Sequence, residues 1–312
     1  MNPTKRHRLY NLLQSILLIS GMGMIAWSVV STLSDPVITT LIVSGAMLGL
    51  VLAPTLPKRL LLSSYGARRL SGREFPEGIA MLAALARKAG LPRMPELYYV
   101  PSRLPNAFAV GGPDESAVCI TDGLLKLLDR RELQGVLAHE IAHIAHRDLW
   151  IMSVADAMSR IVSVVSWIGQ IILLMNLPLF FSGAAYIPWH VPLLLVFSPT
   201  LMALLQLALS RSREFDADRG AIELTGDPGG LAGALVKLER RVGRFWEEVF
   251  LPGRRIPEPS LLRTHPPTEQ RIARLQVMLA RPSPLLSSQP PLRIPDVQPS
   301  PPSRFRGLGH YR

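Results

Sequence analysis

The sequence predicts a mainly α fold with a small β-sheet: an integral membrane chain with two hydrophobic helical hairpins and a cytosolic domain built around one metal-binding helix. Three observations carry that expectation. Two long stretches are almost free of charge, the polar stretch between them mixes short β-forming runs with helical periodicity, and one helical segment holds histidines at a metal-ligand spacing. The 312 residues include 34 Lys plus Arg against 23 Asp plus Glu, a formal charge of +11, with 48% hydrophobic and only 18% charged residues. Mean hydropathy is +0.24. Such a composition excludes a disordered or fibrous chain and puts part of it in lipid. Cys119 is the only cysteine, so no internal disulfide framework holds the chain together, which fits a reducing compartment.

Between Arg8 and Lys58 the only charged residue is Asp35, and the segments 10–34 and 37–57 on either side are each near the roughly 20 residues that a spanning helix needs. The turn Ser34-Asp35-Pro36 makes them antiparallel neighbours. Lys5, Arg6 and Arg8 ahead of an apolar run also suit a cleavable signal peptide, but a second span follows at once and no small-x-small site ends the first. A second charge-free region runs from Ile161 to Ser210, is broken at Ser182–His190, and is long enough for two further spans of about 20 residues each. Asn176, Pro178 and Pro199 leave open a hairpin buried in a soluble core or only partly embedded. Trp167, Tyr186 and Trp189 suit an interfacial belt. Lys5, Arg6 and Arg8 precede the first span and Lys58, Arg59, Arg68, Arg69 and Arg73 follow the second, while neither hairpin turn carries Lys or Arg; both flanks therefore belong on the cytoplasmic side. That placement accounts for much of the positive charge without nucleic acid, for which no motif is present.

Within the polar parts, Phe75–Ala89 has helical spacing ending at Gly90, and Glu96–Val100, Ala107–Val110 and Ala117–Thr121 read as strands. Leu124–Leu128 gives a turn or two of helix, and Arg131–His146 a long helix with apolar Leu133, Val136, Leu137, Ile141 and Ile144. Arg211–Leu224, Gly230–Trp246 and Thr268–Leu279 complete the helices; the Pro- and Ser-rich tail from Arg281 reads as disordered. The expected organisation is a hairpin over 1–57, a polar unit over 58–150, a second hairpin over 151–210, a further polar unit over 211–280 and a tail over 281–312.

The metal-ligand spacing is His139-Glu140-Ile141-Ala142-His143, an H-E-x-x-H pattern. Residues four apart share a helical face, so both imidazoles can bind one Zn²⁺ while Glu140 reaches a water in the open coordination position. A catalytic zinc commonly takes a third protein ligand. His146 is too far along the same helix, because His139 to His146 spans about 10 Å of rise. In Ser210-Arg211-Ser212-Arg213-Glu214-Phe215-Asp216-Ala217-Asp218, Glu214 and Asp218 are four apart, so one carboxylate can bind the metal while the other accepts the free N–H of a ligand histidine. The same cluster also suits a solvated helix face.

Taken in order, the N-terminal spans, Asn106-Ala107-Phe108-Ala109, HEIAH with Asp148 behind it, the second hydrophobic hairpin, SRSREFDAD and Thr264-His265-Pro266-Pro267 resemble the HtpX-type membrane zinc metalloproteases, relatives of the CAAX prenyl proteases. The resemblance covers roughly residues 5 to 280. It implies one zinc held by His139, His143 and Glu214, catalysis by Glu140, Asp218 behind the ligands, and Asn106 and His265 near bound substrate. It also implies metal-assisted hydrolysis of polypeptides, with Glu140 as the base and then the proton donor to the leaving amine, and misfolded or damaged membrane proteins as substrates. The expected location is a bacterial inner membrane with the site facing the cytoplasm. His265 is a candidate second donor to the oxyanion, although Thr-His-Pro-Pro equally suits a rigid turn. Asn106, Ala107 and Phe108 would bind an extended substrate at a sheet edge, or form an ordinary buried strand. A CAAX-type processing protease and a catalytically silent scaffold stand as alternatives. A metal transporter fits less well, because the spans lack central carboxylates.

Overall fold

The computed structural model describes residues 3–32, 34–52, 58–183, 188–249 and 268–279. His265, the loop 254–262 and the tail from 281 lie outside the described residues. The chain begins with α1 (Pro3–Val30) and α2 (Pro36–Leu52), which touch across their short connection: the Trp27 indole N–H donates to the Thr40 hydroxyl at 3.1 Å. At 17 residues α2 is shorter than the expected 37–57 segment, and residues 53–57 fall outside the described part. The polar unit follows as α3 (Lys58–Ser64), β1 (Arg68–Arg69), α4 (Pro76–Lys88), β2 (Glu96–Val100), β3 (Ala107–Gly112), β4 (Glu115–Thr121), α5 (Asp122–Leu127) and α6 (Arg130–His146).

Each predicted strand is present within two residues of its expected ends. The four strands are ordered β1-β2-β4-β3, with β2 parallel to β4 and the outer pairs antiparallel. Among the described residues β3 is therefore an edge, as the sequence suggests. α4 stops where Gly90 takes φ +69°, a left-handed conformation that glycine adopts without Cβ strain, and Leu91 N–H returns to the Ala86 carbonyl at 3.1 Å. α6 starts at a reciprocal cap, in which Asp129 accepts the Glu132 N–H and Glu132 accepts the Asp129 N–H, both at 2.9 Å.

Two long helices then depart from the expected boundaries. α7 runs from Asp148 to Phe181 and α8 from His190 to Thr225, each without a break. The segment Arg211–Leu224 is thus the second half of an apolar helix, because no helix-stopping residue separates Ser210 from Arg211 and charge alone does not end a hydrogen-bonded ladder. α9 (Pro228–Val249) and α10 (Thr268–Leu279) complete the described chain.

Among the described residues three helices, α1, α7 and α8, are long and apolar enough to cross a membrane. They expose large apolar side chains such as Leu17, Met175 and Phe181, the last 79% exposed, which water would not tolerate over so long a surface. Between them the packing is tight and partly polar. Ser166 and Ser198 share a hydrogen bond at 2.9 Å and Gln170 donates to the Leu195 carbonyl at 2.8 Å, while on the exposed face of α7 Arg160 pairs with Asp156 at 2.8 Å as its i,i+4 spacing suggests. One apolar core lies among these three helices, around Met22, Val162 and Met202. Another joins α4, the sheet, α6, α9 and α10 around Leu82, Ile120 and Ile141. Helix α8 enters both: its Met202 belongs to the first and its Ala221 to the second.

Candidate metal centre

The two cores meet where α8 crosses α6, and there the chemistry-bearing side chains converge. His139 and His143, one turn apart on α6, turn their Nε2 atoms to within 3.1 Å of each other with the rings at 90°. Glu214, on α8, brings one carboxylate oxygen to 3.4 Å from His139 Nε2 and the other to 3.5 Å from His143 Nε2. All three residues are buried.

Carboxylates on the far side fix both rings. His143 Nδ1–H donates to Asp148 Oδ2 at 2.9 Å, and His139 Nδ1–H donates to Asp218 Oδ1 at 3.0 Å. With both Nδ1 atoms turned to carboxylates, both Nε2 atoms face each other and Glu214, an arrangement that can hold one cation between the three groups. The spacing fits zinc: ligand bonds of about 2.0–2.1 Å in a tetrahedron put donor atoms about 3.3 Å apart, against 3.1, 3.4 and 3.5 Å here. Charge agrees. Glu140, Asp148, Glu214, Asp216 and Asp218 outnumber Arg213 and Arg271, an excess of negative charge that a cation offsets. Burial works against charge on His143, yet the bonds to Asp148 and Glu214 prevail and hold the ring well above the ordinary histidine range; His139 is raised in the same way through Asp218 and Glu214.

Local sequence explains the placement. Asp148 is the first residue of α7, where a carboxylate is favoured by the helix dipole. It faces back onto α6 because Arg147 takes φ 59°, the only positive φ of a non-glycine among the described residues, and reverses the chain in one step. Glu140 is buried beside the pair and accepts a hydrogen bond from the Ala109 backbone, which sets the edge strand β3 against the H-E-x-x-H helix. Burial pushes the Glu140 carboxyl up, and Glu214 adds to this against the pull of both histidines. Asn106 is held by its backbone: its N–H donates to Thr121 Oγ1 at 2.8 Å. Ala107 is buried, and Phe108 packs edge-on against Tyr65, so the side chains of β3 are engaged in packing. His146 is exposed at the end of α6 and is not among the three converging ligands.

These features can be set against known proteins. A model described as peptidase family M48 matches residues 73–279. The chain belongs to peptidase family M48. The Protease HtpX homolog of Methylibium petroleiphilum is 36% identical over 242 residues, covering 71% of this chain and 81% of that protein. Its namesakes from Methanocaldococcus jannaschii and Pyrococcus abyssi are 37% and 39% identical, covering 76% and 70% of this chain and 87% and 78% of theirs. The crystal structure of S. mikatae Ste24p superposes with a TM-score of 0.45 at 18% identity, covering 86% of this chain and 65% of that chain. This M48 peptidase is thus a membrane-embedded metalloprotease acting on polypeptides, and nothing favours the scaffold or prenyl-protein alternatives over that.

The sequence reading of the M48 site omits two buried arginines. Arg271 on α10 forks onto Asp218, with Nε–Oδ2 at 2.8 Å and Nη2–Oδ1 at 2.5 Å, and puts Nη1 3.1 Å from Glu214. It therefore ties the Glu214 and Asp218 carboxylates together. A signal was available: Arg271 and Leu275 lie four apart on the buried face of an amphipathic helix, where a charge is out of place without a partner. Arg213 on α8 faces Asp148 at 3.4 Å. Nothing in the local pattern of Ser-Arg-Ser-Arg distinguishes it from its exposed neighbour Arg211.

Proposed function

We propose that this M48 peptidase is a zinc endopeptidase in which His139, His143 and Glu214 hold one metal ion and Glu140 moves the proton. The observation that carries this reading is the pair of Nε2 atoms and the Glu214 carboxylate at mutual distances of 3.1 to 3.5 Å, with both Nδ1 atoms committed to aspartates. Zinc, when bound, supplies Lewis-acid polarisation of a peptide carbonyl and acidifies a water. Glu140 takes the proton of the attacking water and delivers it to the leaving amine nitrogen; a carboxyl raised by burial is suited to both, since its pKa lies nearer the working pH. Asp148 and Asp218 keep the histidine rings in the tautomer that ligates, and Arg271 holds Glu214 and Asp218 in place.

A substrate in extended form adds to the unpaired side of β3 along Asn106, Ala107 and Phe108, with main-chain hydrogen bonds that carry little sequence preference. His265 is the proposed second donor to the oxyanion, from Thr264-His265-Pro266-Pro267. The absence of Lys and Arg in both apolar connections supports a cytosolic site at an inner membrane, and a site at the root of membrane helices supports membrane proteins, misfolded or damaged, as substrates. The decisive test is metal analysis and casein-type proteolysis on detergent-solubilised protein, comparing wild type with Glu140→Gln. One zinc per chain retained with cleavage abolished is expected; undiminished cleavage in the variant would remove Glu140 from the reaction.

A further inference from the structure

The first helix contributes no ligand, yet it is wired to one. Ser15, buried on α1 and 4% exposed, accepts a hydrogen bond from Arg213 Nη2 at 2.5 Å. Arg213 Nη1 faces Asp148 Oδ1 at 3.4 Å, and Asp148 Oδ2 accepts the Nδ1–H of His143 at 2.9 Å. One residue before Arg213, the Ser212 hydroxyl donates to Gln14 of α1 at 3.2 Å. Four helices, α1, α8, α7 and α6, are therefore joined by side chains in a single line that ends on a proposed metal ligand.

Each link has a physical reason. The Asp148 carboxylate is 1% exposed, and a polar group at that depth is costly unless it is paired and hydrogen-bonded. His143 and Arg213 approach its two oxygens from opposite sides, so the guanidinium fixes the direction in which the carboxylate plane faces the ring. The fork of Arg213 is itself held by Ser15, with Asp216 3.8 Å from the same Nη2, so the arm tied to α1 limits how the planar group meets Asp148.

We infer that Arg213 is a positioning residue for the metal centre, and that through the Ser15–Arg213–Asp148 line the membrane helix α1 holds His143 in its ligating orientation. This rests on the zinc peptidase reading above. Loss of a group that orients a ligand histidine costs about 10- to 100-fold in metal affinity or activity. Arg213 acts one bond further out, so the low end, about 10-fold, is expected for Arg213→Met, about 3-fold for Ser15→Ala, and an intermediate loss for Arg213→Lys, whose single ammonium cannot serve both partners.

The test is zinc retention by full-length protein in detergent, measured by chelator competition, alongside kcat/KM on a casein-type substrate and thermal unfolding. Ser15→Ala keeps every charge and is the variant to rely on if Arg213→Met fails to fold. The expected result is weaker zinc retention in Ser15→Ala and Arg213→Lys at an unchanged thermal transition of the metal-free protein, and loss of the Arg213→Met effect in an Asp148→Asn background, since a residue acting through Asp148 has nothing left to orient. A merely structural Arg213 would lower the unfolding temperature without changing zinc retention of the folded protein, and would add to Asp148→Asn. Wild-type retention of zinc in Ser15→Ala overturns the link to α1. A wild-type protein that holds no zinc would instead overturn the metal assignment beneath it.

Discussion

Gly220, six residues beyond Glu214 on α8, packs directly against α6. A Cβ built there would stand 2.8 Å from the Ala142 Cβ and 3.4 Å from the His146 ring. Ordinary carbon contacts settle at about 3.5–4.0 Å, so Gly220→Ala has to open the two helices by about 1 Å, and Ala142 has no flexible end that could swing aside. Relief of the glycine penalty in a helix returns about 1 kcal/mol, against about 1–3 kcal/mol for the overpacking, so global stability falls by no more than about 2 kcal/mol. The site is less forgiving. The proposed ligands come from both helices, with donor distances of 3.1 to 3.5 Å, and a metal site tolerates bond-length errors of only about 0.2 Å. Gly220→Ala should therefore weaken zinc retention at least about tenfold, the effect of about 1.4 kcal/mol at the metal, while the protein remains folded. Chelator competition on the solubilised protein measures it. Gly23→Ala is the control: its Cβ meets nothing within 4 Å, and no change is expected. Ala142→Gly in the same chain as Gly220→Ala removes the obstructing methyl and should recover most of the loss. Wild-type zinc retention in Gly220→Ala, or no recovery in the double variant, would refute the view that helix separation sets the site.

Two further outcomes can be measured directly. Burial, with the charge of Glu140 adding to it, pushes the Cys119 thiol up to about 12; at pH 8 native protein should be alkylated about 1,000-fold more slowly than unfolded protein, and rapid native labelling would show that the sheet core opens. The second concerns metal-free protein. His143 is held well above its unfolded value of about 6.5, so its contribution to stability is complete below that pH and disappears as pH rises through the folded value. Denaturation midpoints of metal-free wild type should fall between pH 6 and pH 9 relative to His143→Asn, and a rise over that interval would contradict the network around the ring.

Periodicity made most of the polar unit legible. Strands of five to seven residues with β-branched and aromatic content, and helices ended by Gly90 or opened by Asp129, are local signals, and β2, β3, β4, α4 and α6 follow them closely. The H-E-x-x-H spacing and the Glu214–Asp218 pair were readable for the same reason, because i,i+4 geometry is written into a helix. β1 was not, since two residues, Arg68 and Arg69, hold no alternation to detect. Nor was the continuity of α8 through Ser210, where a change from apolar to charged residues resembles a domain boundary but carries no stop signal. Arg213, Arg271 and Ser15 are partners across helices, and spacing along one chain segment says nothing of which buried charge meets which.

That continuity has a mechanical consequence. The exposed apolar residues of α8 extend to Leu207, and Glu214 follows seven residues later, about 10 Å along an unbroken helix. α7 is tied to the site just as directly, with Asp148 as its first residue. The proposed metal centre is therefore not on a globular domain tethered by a linker and free to swing: its depth relative to the apolar belt is fixed by helix rise, and α1 is packed against both long helices. Any tilt of α8 within its apolar bundle moves the Glu214 carboxylate relative to the α6 histidines, unless α7 and α1 move with it. The hydrogen bonds that lock α7 to α8, Ser166 to Ser198 and Gln170 to Leu195, lie more than 10 residues from Glu214 and touch no proposed reacting group, yet by this argument they help keep His139, His143 and Glu214 close enough to share the proposed metal ion.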